Sequence, residues 1–118
     1  MNILTTIAVS IVIVLHVLFL VLEMFLWNTP FGRKTFGLKE DYAKQSAPLA
    51  ANQGLYNGFL AAGLLWGLVS TGGYDALVFF LSCVIIAGIY GAITAKRSIL
   101  WLQAFPAAIA LTSLIFNI

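Results

Sequence analysis

The chain alternates four long apolar runs with three polar breaks, the runs covering about residues 3–27, 51–70, 76–95 and 98–118. A run of about 20 apolar residues crosses a hydrocarbon layer about 30 Å thick, and in lipid only a helix or a closed barrel satisfies its own backbone groups. The pattern therefore predicts an all-α membrane protein, a four-transmembrane-helix antiparallel bundle forming one domain over residues 1–118. The first break, the connection 28–50, is long and contains Pro30, Gly32, Gly37 and Pro48. The second, 70–75, is short, and the third is a tight turn at Lys96-Arg97. Short connections make the last three helices antiparallel neighbours.

Composition supports lipid as the solvent: 62% of the 118 residues are hydrophobic and 8% charged, against about 25% charged in soluble domains. The mean hydropathy is +1.03. The first run lacks a basic leader and is longer than the about 7–15 residues of a signal-peptide core, so it is expected to be a retained span. Arg33, Lys34, Lys39 and Lys44 fall in the first connection and Lys96 and Arg97 in the third, and none falls elsewhere. Basic residues near span ends stay cytoplasmic, so both termini are expected outside a multi-pass protein of the cell membrane. Trp27 and Trp101 are expected at the cytoplasmic headgroup level. No basic patch points to nucleic acid, and Cys83, inside an apolar run, has no partner for a disulfide.

The first connection interleaves Phe31, Phe36, Leu38, Tyr42 and Leu49 with its basic residues. Glu40 and Lys44 are spaced for an ion pair on a short helix that Pro48 should end, and the segment is expected to lie on the membrane surface.

His16 and Glu23 are the ionisable groups deep in a span, where charge is costly and such side chains face protein or a cavity. With Thr5 and Trp27 they share one stripe of the first helix. They are two turns, about 10.5 Å, apart and cannot form a dyad by themselves. The second span opens with Asn52-Gln53-Gly54-Leu55-Tyr56-Asn57, a polar density that lipid tolerates only when matched. Asn52 and Tyr56 share a face with Gly63 and Gly67, while Gly54 and Gly58 share another with Ala61. This helix is therefore expected to be central and the most buried.

Given the orientation, Glu23, Asn52, Gln53, Tyr56, Asn57 and Gln103 occupy one depth and are expected to line a cytoplasm-facing cavity, with His16 at its floor. Glu23 and His16 are the candidate catalytic or proton-active groups, although catalysis is left open. One histidine and one distant carboxylate are too few for a metal, and no motif calls for a cofactor. The leading expectation is binding of a small amphiphile or membrane lipid. A proton-coupled transporter and a structural assembly component are the alternatives, and Gly/Ala faces on the third and fourth helices leave homo-oligomers open.

His16, Glu23 and Trp27, together with the twelve-residue motif running from Asn52 to Gly63, resemble a family of small bacterial four-span integral membrane proteins of this length, catalogued as a domain of unknown function. The resemblance covers essentially the whole chain and implies a fold without an established activity. Membrane-associated eicosanoid and glutathione enzymes look similar in layout, but their arginine-rich second helix has no counterpart here. Small multidrug exporters look similar in carrying a first-helix glutamate, but the strong charge bias opposes their dual insertion.

Overall fold

In the computed structural model, which describes residues 1–118, the first apolar run becomes α1, Ile3–Met24, and the chain is helical with no strand. The helix stops three residues before the expected end at Trp27, because the chain turns through Asn28 and Thr29 into a second, short helix. That helix, α2, spans Pro30–Phe36. Thr29 caps it in an extended conformation (φ −94°, ψ 161°), its hydroxyl accepting from the Gly32 N–H, and Pro30 starts it with φ already set. Gly37, in the left-handed region at φ 67°, ends it.

The third helix, α3, runs unbroken from Glu40 to Val69 over 30 residues. This corrects the expectation that Pro48 ends a short helix ahead of the second apolar run: the polar residues 40–50 are helical and continuous with that run. Proline deprives the Lys44 carbonyl of its donor, but Lys44 and Pro48 are both exposed, so the freed carbonyl lies where solvent can reach it. Glu40 and Asp41 in the first turn favour the helix further through its dipole.

After the turn at Gly72, α4 spans Tyr74–Thr94, and the chain reverses at Ala95–Arg97. The last apolar run is helical but not uniform: Leu100–Ala104 is π-helical and leads into α5, Phe105–Phe116. The cause is local. Pro106 has no N–H to give Leu102, and the preceding amide, that of Phe105, bonds to the carbonyl of Leu100, widening the turn. By length and composition, α1 and α4 are apolar enough to cross a membrane.

The chain forms two compact units: residues 1–15 with 60–118, and residues 16–59. The first has a core to which four helical segments contribute: Val9 and Val12 from α1, Leu64 from α3, Leu77, Leu81 and Val84 from α4, Ala107 and Ala110 from α5. Small residues set the spacing there. A Cβ at Gly88 would approach the Ala104 nitrogen to 2.6 Å, so α4 and the π-helical segment touch backbone to backbone. Near the chain ends, Thr5 and Ser113 join their buried hydroxyls at 2.6 Å, and the Asn2 amide donates to the Ile118 carbonyl at 3.1 Å. The first and last helices of this unit are therefore antiparallel, with both ends of the chain side by side.

Candidate functional site

The second unit is a helical pair with a short cross-piece, and its geometry follows from two glycines four residues apart on α3. A Cβ at Gly54 would lie 2.8 Å from Cγ of Met24 and 3.2 Å from the Leu20 carbonyl; at Gly58 it would meet Leu20 Cδ1 at 2.6 Å. With neither Cβ present, the end of α1 and the middle of α3 pack antiparallel at close range, the arrangement small-xxx-small spacing favours.

Into this contact α1 delivers Glu23, one residue before its end and 7% exposed. Both carboxyl oxygens are occupied. The Asn57 amide donates to Oε1 at 2.5 Å and the Gln53 amide to Oε2 at 2.6 Å. Asn57 is buried with Glu23, whereas Gln53 is exposed, so the cluster runs from the packed interior of the unit to its surface. A carboxyl group taken from water needs such partners on each oxygen, and the amides sit four residues apart on α3, one on each side of the turn facing α1.

The structure brings Gln53 and Asn57 to Glu23 as the sequence suggests, and leaves the other members of the expected layer elsewhere. Tyr56 is 59% exposed, its ring edge-on to Phe59, and Asn52 is exposed as well. The expectation that this helix is central, with Asn52 and Tyr56 on a packed face, is therefore corrected. Consecutive helical residues point about 100° apart, so the face that holds Gly54 and Asn57 turns Asn52 and Tyr56 outward. Gln103 is half-buried in the π-helical segment of the other unit. His16 is buried (1% exposed) two turns before Glu23, with Phe19 edge-on at 5.3 Å. It shares the buried stripe of α1 with Thr5, Val9, Val12 and Glu23, at the three- and four-residue spacing of a packed face.

Sequence reasoning missed the partner of Trp27. Its indole N–H donates to the Ser46 hydroxyl at 3.0 Å, the Ser46 hydroxyl donates to the Tyr42 carbonyl at 2.6 Å, and the indole ring lies against Phe36 at 4.8 Å. The signal was present as an aromatic followed by a polar turn, but the partner became visible only once residues 40–50 proved helical.

Comparison with known proteins adds kinship without an activity. Residues 10–115 match a family described as protein of unknown function, DUF1304. A curated relative, the uncharacterized protein YpaA of Lactococcus lactis subsp. lactis (strain IL1403), is 30% identical over 115 residues, covering 94% of this chain and 97% of its own length. No solved structure matches.

Proposed function

The chain belongs to the DUF1304 family of proteins of unknown function, and we propose that it is a multi-pass protein of the cell membrane, with four spans and both ends outside, that holds the polar head of a small amphiphile or lipid beside Glu23. The observation that carries this reading is the Glu23–Gln53–Asn57 cluster: a carboxyl in an otherwise apolar helix, bound to two amides, one of which stands at the surface. Gln53 gives one N–H to Glu23, which orients its amide and leaves a second N–H and a carbonyl oxygen for a ligand. Asn52 and the Tyr56 hydroxyl stand exposed on neighbouring turns. Because the apolar run ends about one turn after Glu23, at Trp27, the cluster lies near the edge of the apolar stretch, close to the level at which an amphiphile carries its head group.

The occupation of both carboxyl oxygens favours a second reading, a structural one in which the cluster only fastens α1 to α3. Native mass spectrometry of the protein released from membranes separates the two. Ligand binding predicts a retained amphiphile that Gln53→Ala loses at a stability cost of about 1 kcal/mol, since water can replace an exposed amide on Glu23. A purely structural cluster predicts no retained amphiphile in wild type, and that result would sink the binding proposal.

A further inference from the structure

The cross-piece α2 is fixed to the end of α1 with unusual closeness. A Cβ at Gly32 would overlap the carbonyl oxygen of Leu26, the Thr29 hydroxyl donates to that same carbonyl at 2.6 Å, and the Arg33 N–H bonds to the Thr29 carbonyl at 2.9 Å. With Trp27 packed against Phe36 as well, ring centroids 4.8 Å apart, α2 cannot stand away from the point where α1 stops. If α1 crosses the membrane, α2 therefore lies at headgroup depth. What it presents there is basic and apolar together. Arg33 and Lys34 form its last turn, Lys39 follows two residues after Gly37, and Phe31 is 62% exposed. No acidic residue lies between Glu23 and Glu40; Glu40 and Asp41 offset part of the charge from the start of α3. Arg33 is ordered, one guanidinium nitrogen donating to the Asn28 carbonyl at 2.8 Å and to its side-chain oxygen at 3.2 Å. That contact uses one of the three guanidinium nitrogens, and the group has five N–H donors in all.

We propose that α2 and the residues up to Lys39 form a docking surface for anionic phospholipids of the same membrane, with Arg33, Lys34 and Lys39 holding the phosphate headgroups and Phe31 entering the acyl boundary. The occupant follows from charge complementarity at a fixed depth: cations held at the headgroup layer meet the negative surface potential of the cytoplasmic leaflet, and an exposed phenylalanine at that depth gains by burial in lipid. The proposal rests on the membrane reading above but not on a ligand at Glu23.

The test is lipid selectivity of the whole protein, reconstituted in vesicles of phosphatidylcholine with about a third phosphatidylglycerol, read as the phosphatidylglycerol enriched on the protein by native mass spectrometry or fluorescence transfer. Each charge removed from the α2 surface should lower that enrichment about fivefold, so Arg33→Gln/Lys34→Gln should lower it about 25-fold, whereas Lys96→Gln/Arg97→Gln, outside that surface, should retain most of it. Lys34→Gln alone, at an exposed position, serves if the double variant fails to fold. Enrichment unchanged in the α2 variants, or lost equally in the Lys96/Arg97 control, overturns the proposal. So does competition by millimolar inorganic phosphate, which would mark a free-anion site. Release of the wild-type protein from vesicles by alkaline carbonate would instead overturn the membrane reading, so the two failures are distinguishable.

Discussion

Asn57 and Glu23 lie 34 residues apart in the chain and meet at 2.5 Å, amide to carboxyl oxygen, both buried. The contact exists because Gly54 and Gly58 remove the side chains that would hold the two helices apart. Close packing of backbones and a shared polar cluster are thus two aspects of one interface, and substitutions can separate them.

At Glu23 two variants should differ. Glu23→Leu removes the acceptor and leaves a buried Asn57 amide and the Gln53 amide without it, which should cost about 1–3 kcal/mol of stability. Glu23→Gln keeps an oxygen for one amide, and rotation of the exposed Gln53 side chain can offer its own oxygen to the new NH2 group, so the loss should stay within about 1 kcal/mol. Unfolding midpoints in mild detergent check the order. Equal losses would mean that the oxygen kept in Glu23→Gln satisfies neither amide and that both oxygens of the carboxyl are needed.

Glycine substitutions should rank by what the new Cβ meets. Gly58→Ala meets the end of the Leu20 side chain, which can rotate away, so a cost of about 1 kcal/mol is expected. Gly32→Ala meets the Leu26 carbonyl, which cannot move without undoing the turn between α1 and α2, so the cost should exceed about 3 kcal/mol or the turn should open. Limited proteolysis at residues 25–30 reads the second outcome: cutting should appear in Gly32→Ala and not in Gly58→Ala.

Much of α1 was legible because a single period of 3.6 places Thr5, His16 and Glu23 in one stripe whatever they pack against, and the structure adds Val9 and Val12 to the buried face. The polar start of the second span was legible as polar but not as oriented. Six adjacent positions cannot all face one neighbour, and only contact with α1 selects Gly54 and Asn57 over Asn52 and Tyr56. Pro48 misled because proline costs a helix least where the freed carbonyl is exposed, and exposure at Lys44 is a tertiary fact. The π-helical turn before Pro106 was not legible, since proline alone does not say which preceding amide will shift its acceptor.

The orientation proposed for the chain has a direct check. After replacement of Cys83, single cysteines at Lys34, Gly72 and Lys96 should react with an impermeant thiol reagent in a fixed pattern on intact cells: Gly72→Cys labelled, and Lys34→Cys and Lys96→Cys labelled only after permeabilisation. All six basic residues fall in the two connections placed inside. Labelling of Lys34→Cys from outside would invert the topology and remove α2 from the cytoplasmic leaflet.

The hydroxyl pair near the chain ends should respond unequally to loss of either partner. Ser113 donates its proton to the Ile118 carbonyl at 2.8 Å, so in the 2.6 Å contact with Thr5 it is the threonine that donates and the serine oxygen that accepts. Thr5→Val therefore removes a donor and leaves Ser113 with its bond to Ile118, at a cost of about 0.5–1.5 kcal/mol. Ser113→Ala removes the acceptor and the second donor at once, strands a buried Thr5 hydroxyl, and takes one of its hydrogen bonds from the Ile118 carbonyl. Its cost should be the larger, about 1–3 kcal/mol. The double variant Thr5→Val/Ser113→Ala should recover part of that loss, because no buried hydroxyl is then left unmatched. A double-mutant cycle on unfolding midpoints measures the recovery, and hydrogen exchange of the amides after Phe116 should rise in both variants lacking Ser113 but not in Thr5→Val. Additive losses with no recovery would show that water already reaches Thr5 and that the pair does not bind the two ends together.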